Sequence, residues 1–154
     1  ARNYLDAVEE QLGGWVRGEL ILMFTIGLVT FVGLTLLNIP YALPLAILAG
    51  VLELIPNLGP TISAIPAIII AFAVHGPVSG IAVLVLSIVI QQAENNFLVP
   101  RIMKESAKVS SLVVIMAILI GAQFGGALGA LLAVPLYITA RSWYSFYFRP
   151  TLIG

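Results

Sequence analysis

From Leu20 to Leu37 the chain runs for 18 residues without a charged side chain, and the next charge comes only at Glu53. A helix needs roughly 20 mainly apolar residues to cross a hydrocarbon core about 30 Å thick, so this run predicts a spanning helix. The rest of the sequence has the same character: 60% of residues are hydrophobic, 9% are charged and the mean hydropathy is +1.10. Soluble domains carry about 25% charged residues. No polar run is long enough to cover so much apolar surface, so lipid is expected to be the solvent for most of the chain.

Composition also removes several function classes. The net charge is zero, and no basic patch alternates with aromatics as a nucleic-acid groove requires. Without cysteine there is neither disulfide nor thiol catalysis. Ser63, Ser79 and Ser87 have no His or Lys nearby in sequence, and no metal-ligand cluster or cofactor motif is present. An enzyme is not expected.

The chain begins without an initiator Met or a cleavable leader, as expected of the C-terminal part of a longer protein. Residues 1–18 read as an amphipathic interfacial helix, with Leu5, Val8, Leu12 and Trp15 on helical spacing and Asp6, Glu9, Glu10 and Arg17 on other faces. The alternative is a soluble helix that ends at Gly13-Gly14. Residues 19–154 read as a transmembrane transporter domain.

Within that domain, apolar arms flank breaks. Tyr41 to Glu53 stops at Ile55-Pro56-Asn57-Leu58-Gly59-Pro60, which cannot continue a regular helix, and Thr61 to Val74 resumes for only 14 residues. Val78 to about Asn96 is a second spanning candidate. Leu112 to Ile120 and Ala127 to about Tyr147 then flank Gly121 to Gly126. Gly/Pro-interrupted hydrophobic segments in corresponding positions point to a transporter's binding site. The fold class is therefore all-α and polytopic, with full spanning helices and two Pro/Gly-broken helical hairpins of re-entrant type.

A broken pair returns to its starting side whether it dips in or crosses twice. Counting crossings places Asn38-Ile39-Pro40 and His75-Gly76-Pro77 on one side. All seven Lys and Arg residues fall on the other, with both ends of the chain, and the positive-inside rule makes that side cytoplasmic. Trp143, Tyr144, Phe146, Tyr147 and Phe148 then form an aromatic belt at the same interface.

Two acids stand out in this apolar background. A carboxyl at membrane depth is costly, which makes it a functional-site hypothesis by default. Glu53 reads as a proton or cation carrier, or as a neutral carboxyl capping amides left free by Pro56 and Pro60. Asn57 and the backbone near Gly59 would offer neutral groups to a polyhydroxylated ligand or a dehydrated cation. Glu94 reads as a gate or permanent ion pair with Arg101, if the chain turns between Phe97 and Pro100. Gln91 and Gln92 differ by about 100° on a helix, so one of them faces the polar path, and Asn95 and Asn96 read as helix C-terminal residues. Pro56, Gly59, Pro60, Gly121, Gly125 and Gly126 serve as hinge or broken-helix positions, the glycines through close backbone approach. His75 reads as a solvent-exposed loop residue.

These residues fall into three motifs: Glu53-x-Ile55-Pro56-x-x-Gly59-Pro60 with Pro66; Gln91-x-x-Glu94-Asn95 with Pro100-Arg101-Ile102-Met103; and Gly121-x-x-Phe124-Gly125 with Gly129 and Pro135. In this order they resemble the C-terminal half of the autoinducer-2 exporter family, the PerM-like permeases, over nearly the whole chain. Lys104 and Ser110-Ser111 depart from the usual pattern, in the loop after Met103. The resemblance implies a multi-pass transporter of the bacterial inner membrane, a homo-oligomer in the lipid bilayer. It would export a small polar substrate of the autoinducer-2 type or exchange sodium or lithium for a proton. The residues expected to line the path are Glu53, Asn57, Gln91, Glu94 and Asn95. A channel or a membrane scaffold is the alternative from another class.

Overall fold

The computed structural model describes residues 2–55, 59–103 and 111–148, and the regular structure among them is helical. In chain order it comprises α1 (Arg2–Leu36), α2 (Ala42–Leu52), α3 (Gly59–His75), α4 (Pro77–Ala93), a π-helical turn (Glu94–Leu98), α5 (Val99–Met103) and α6 (Ser111–Phe148). Three stretches, Asn3–Leu36, Pro77–Met103 and Leu112–Ser145, are long and apolar enough to cross a membrane. Large apolar side chains such as Phe24, Leu28 and Leu36 on α1 and Val78, Val85 and Val89 on α4 are exposed. Contiguous apolar surface on this scale marks contact with lipid or other apolar partners. The protein is an all-α, multi-pass membrane protein. It divides into two compact units, residues 18–104 and residues 1–17 with 105–154. Helix α1 continues through Gly13-Gly14 without ending there.

In the unit of residues 18–104, the chain reverses after α1 through Asn38 and Tyr41, which take positive φ of 55° and 62°. His75 Nε2 lies 3.0 Å from the Asn38 carbonyl oxygen. The two loops that the crossing count puts on a common side thus adjoin. Helices α2 and α3 have 11 and 17 residues, about 16 and 25 Å at 1.5 Å per residue, so neither spans the core alone. They pack on each other as a broken hairpin. Its closed end depends on Gly59: a Cβ there would collide with the Leu52 carbonyl, and the Gly59 N–H donates to the Ile55 carbonyl at 2.9 Å. Pro56 and Asn57 lie outside the described residues.

Helices α1 and α2 cross at glycine. A Cβ on Gly50 would stand 2.8 Å from the Met23 carbonyl oxygen and 3.5 Å from the Gly27 Cα. Small residues allow such approach where lipid provides no hydrophobic drive between helices. Gly50→Val should therefore cost about 1–3 kcal/mol through overpacking, read as a lower thermal midpoint of the full-length protein in detergent. Gly13→Ala, where a Cβ meets nothing within 4 Å, should not lower it.

The second spanning helix runs further than expected. The chain does not turn between Phe97 and Pro100; it passes through the π-helical turn into α5, and the helix stays continuous from Pro77 to Met103 with Pro100 inside it. Asn95 and Asn96 are consequently not helix-terminal. The Asn96 amide donates to the Gln92 carbonyl at 2.8 Å within the widened turn.

In the other unit, Tyr4 Oη donates to the Thr139 carbonyl at 3.4 Å and Ser142 Oγ donates to Gln11 Oε1 at 2.7 Å, tying the start of α1 to α6. Helix α6 has the length of a crossing rod but is not one. At Gly126 the backbone takes φ 58° and ψ −141°, and the Gly121 and Gly129 backbones touch. In a continuous helix those two residues would be about 12 Å apart along the axis. The element is a hairpin whose arms reverse at Gly126. Its break is a single residue, because the first arm stays helical through Gly121 to Gly125. Trp143, Tyr144 and Tyr147 are exposed near the end of the second arm, with the Trp143 and Tyr147 rings 5.3 Å apart.

Candidate functional site

Within the unit of residues 18–104, three carboxylates from three elements are buried together. Glu53 follows the last turn of α2 at the hairpin's closed end, Glu94 opens the π-helical turn, and Glu19 lies in α1. Their relative exposures are 1%, 3% and 2%. The Glu53 and Glu94 carboxyls are hydrogen-bonded to each other. Glu19 interacts electrostatically with both. Two carboxyl groups can share a hydrogen bond only when at least one carries a proton, since an ionised carboxylate is purely an acceptor.

Local sequence explains each placement. The π-helical turn inserts extra backbone into α4, as shown by the Val99 N–H donating to the Glu94 carbonyl five residues back. Such turns redirect side chains and are frequent at functional sites. Gly59 lets the start of α3 lie against the Leu52–Glu53 peptide. Glu19 falls one turn before Leu22 and two before Ile26, both buried, so the inward face of α1 carries it.

Next to the acids, one to two turns further into the unit, Ile26, Ala49 and Ile90 form an apolar cluster. Beyond it lies a cavity of about 30 Å³ whose lining includes Thr30, Ser63 and Ser87. The Ser63 and Ser87 hydroxyls donate to their own helices, at Pro60 and Val83 carbonyls. The cavity is mainly apolar, and Ile26, Ala49 and Ile90 form part of its wall.

The structure brings together only some of the residues expected to line the path. Gln91 is half-buried and its amide lies 3.4 Å from Thr61 Oγ1 on α3, while Gln92 is exposed. Asn95 is exposed. Asn57 is outside the described residues. Arg101 is not brought to Glu94: because the chain stays helical, seven residues carry it about 10 Å along the axis, and it is exposed in α5. Gly121, Gly125 and Gly126 belong to the other unit, where Gly121 and Gly126 shape the α6 hairpin, whereas Gly125 is helical and a Cβ there would meet nothing within 4 Å. Among the described residues, no three His, Cys, Asp or Glu side chains are grouped so as to hold a metal ion.

The residue that sequence reasoning missed is Glu19. The stripe Leu5, Val8, Leu12, Trp15 continues at the same spacing through Glu19, Leu22 and Ile26. Placing a boundary between residues 18 and 19 hid that continuation.

Comparison with known proteins agrees with this architecture. The description "AI-2E family transporter" matches residues 1–149. "Putative transport protein YrrI" of Bacillus subtilis (strain 168) is 34% identical over 86% of this chain and 37% of its own length. "AI-2 transport protein TqsA" of Escherichia coli (strain K12) is 34% identical over 75% of this chain and 33% of its own length. A "Putative transport protein" of Thermotoga maritima is 29% identical over 95% of this chain and 45% of its own length. The chain thus spans about a third to under half of the relatives it matches. With a helical membrane fold, broken hairpins and a family match across nearly its whole length, the chain belongs to the AI-2E transporter family.

Proposed function

We propose that the full-length protein is a carrier of the bacterial inner membrane that exports a small polar metabolite of the autoinducer-2 type, coupled to a proton held by Glu53 and Glu94. The observation that carries this reading is the buried hydrogen bond between the two carboxyls, one on a broken hairpin and one on a spanning helix. Moving the hairpin against α4 would separate them, so conformation and protonation are linked. The TqsA relative's name supports the substrate class. In this reading the termini of the chain are cytoplasmic, residues 1–18 lie at the interface, and the carrier works as a homo-oligomer. A gate formed by Glu94 and Arg101 would require Glu94 to leave Glu53 first. Exchange of sodium for a proton would use the same pair.

The test is flux through the full-length protein in liposomes. Uptake should respond to an imposed pH gradient and fall to the level of protein-free liposomes in Glu53→Gln. Flux that ignores the gradient and survives the substitution overturns the coupling. Continuous ion conductance far above carrier turnover would instead favour a channel, and assembly without flux a scaffold.

A further inference from the structure

The Glu53–Glu94 pair leaves one buried acid without a role. Glu19 is 2% exposed, and neither of its carboxyl oxygens has a hydrogen-bond partner among the described residues. One oxygen each of Glu53 and Glu94 is likewise buried and unpartnered. A bare carboxylate withdrawn from water costs several kcal/mol even after relaxation, so a group placed this way needs a neutralising occupant.

Among the described residues, the elements packed around it supply no base. The α2–α3 hairpin contributes Glu53, and its only other titratable groups are Tyr41 and His75 at the far end, where His75 meets the Asn38 carbonyl. Helix α4 with its π-helical turn and α5 contributes Glu94 and the exposed Arg101. On α1 itself, Arg17 is two residues away, about 200° around the helix, and exposed. Among the described residues no three acids are grouped so as to hold a metal ion, and a proton is the occupant that neutralises a single buried carboxyl without further ligands.

We propose that Glu19 is the third station of a proton-holding cluster and exchanges with the Glu53–Glu94 pair the proton that drives transport, an inference that rests on the coupled-carrier reading above. In the exchange, an O–H bond breaks on Glu19 and one forms on Glu94, while one negative charge passes to Glu19. The two groups are not hydrogen-bonded in this conformation, so the step needs a side-chain rotation or an entering water. The arrangement lets the hairpin tip withdraw Glu53 without leaving an isolated charge at Glu94, because α1 holds the balancing site.

The experiment is an infrared pH titration of the full-length protein in lipid, following the C=O band of protonated carboxyls, alongside the pH profile of flux. Glu19→Gln should remove one component of that band and shift the titration of the remainder by about one pH unit or more, the scale of interaction between coupled sites. It should shift the flux profile with it, and Glu19→Asp should restore both. A titration and profile identical to wild type, or a Glu19 carboxylate ionised throughout, overturns the proposal. Should Glu19→Gln fail to fold, Glu53→Gln/Glu94→Gln decides: a buried carboxyl that still titrates is Glu19, and none overturns the proposal. Gradient-driven flux with an unaltered Glu19→Gln titration sinks the third station alone. Flux indifferent to the gradient, with the Glu19 component present, removes the coupled carrier and the transport role while the cluster stands.

Discussion

Gly121→Leu should prevent the α6 hairpin from closing and sharply reduce the folded full-length protein recovered from membranes. A Cβ at position 121 would collide with the Gly129 carbonyl, and the Ala133 Cβ stands 3.1 Å away behind it. The obstruction is backbone, so no side chain can swing aside. Ordinary overpacking costs about 1–3 kcal/mol. Here two helical arms must part, and the cost should exceed that range, a large fraction of a total stability of roughly 5–15 kcal/mol. Gly126→Ala tests a different cause: its Cβ meets nothing within 4 Å, but φ 58° and ψ −141° is glycine territory, worth about 1–3 kcal/mol. Gly125→Ala has neither problem and should leave the thermal midpoint unchanged. The ranking 121, then 126, then 125 is the result that matters. Equal effects at 121 and 125 would show that the arms do not meet through glycine.

The helices and breaks were legible because lipid makes backbone rules strict. Uncharged runs must be helical, and Pro/Gly clusters must interrupt them. What the sequence hid were interactions between elements distant in the chain. Glu53 and Glu94 looked separable, one beside a proline-glycine break and one seven residues before Arg101. In the structure they meet, since nothing in local spacing reveals that a hairpin tip lies against the end of α4. The π-helical turn was equally hidden: Asn95, Asn96 and Pro100 read as an ending, but a widened turn keeps the backbone bonded through them. That continuation carries Arg101 away from Glu94. Glu19 is legible in principle from its position on the Leu5-to-Ile26 stripe, which a domain boundary between residues 18 and 19 cuts in two.

Glu53→Gln, Glu94→Gln and the double variant should all lose gradient-driven flux to the same extent. Each carboxyl holds the other's hydrogen bond, so removing either leaves an amide that can still bond but cannot take up or release a proton. Residues that act as one unit give grossly non-additive effects, and the second substitution then has nothing left to remove. Glu94→Asp keeps the acid one methylene short and should retain coupling at a reduced rate. If Glu94 served only as a gate through Arg101, the outcome would differ: Glu94→Gln would keep its pH-gradient dependence, and Arg101→Gln would reproduce its rate change. Stability separates this from structural damage. Replacing both members of a buried pair by apolar residues of similar volume is often neutral or stabilising, whereas removing one strands the other. Glu53→Leu/Glu94→Leu should therefore remain folded, with a thermal midpoint at or above that of either single leucine variant, yet transport nothing in response to a pH gradient. A folded double-leucine variant that still couples would assign the proton to another group, with Glu19 the next buried acid to test.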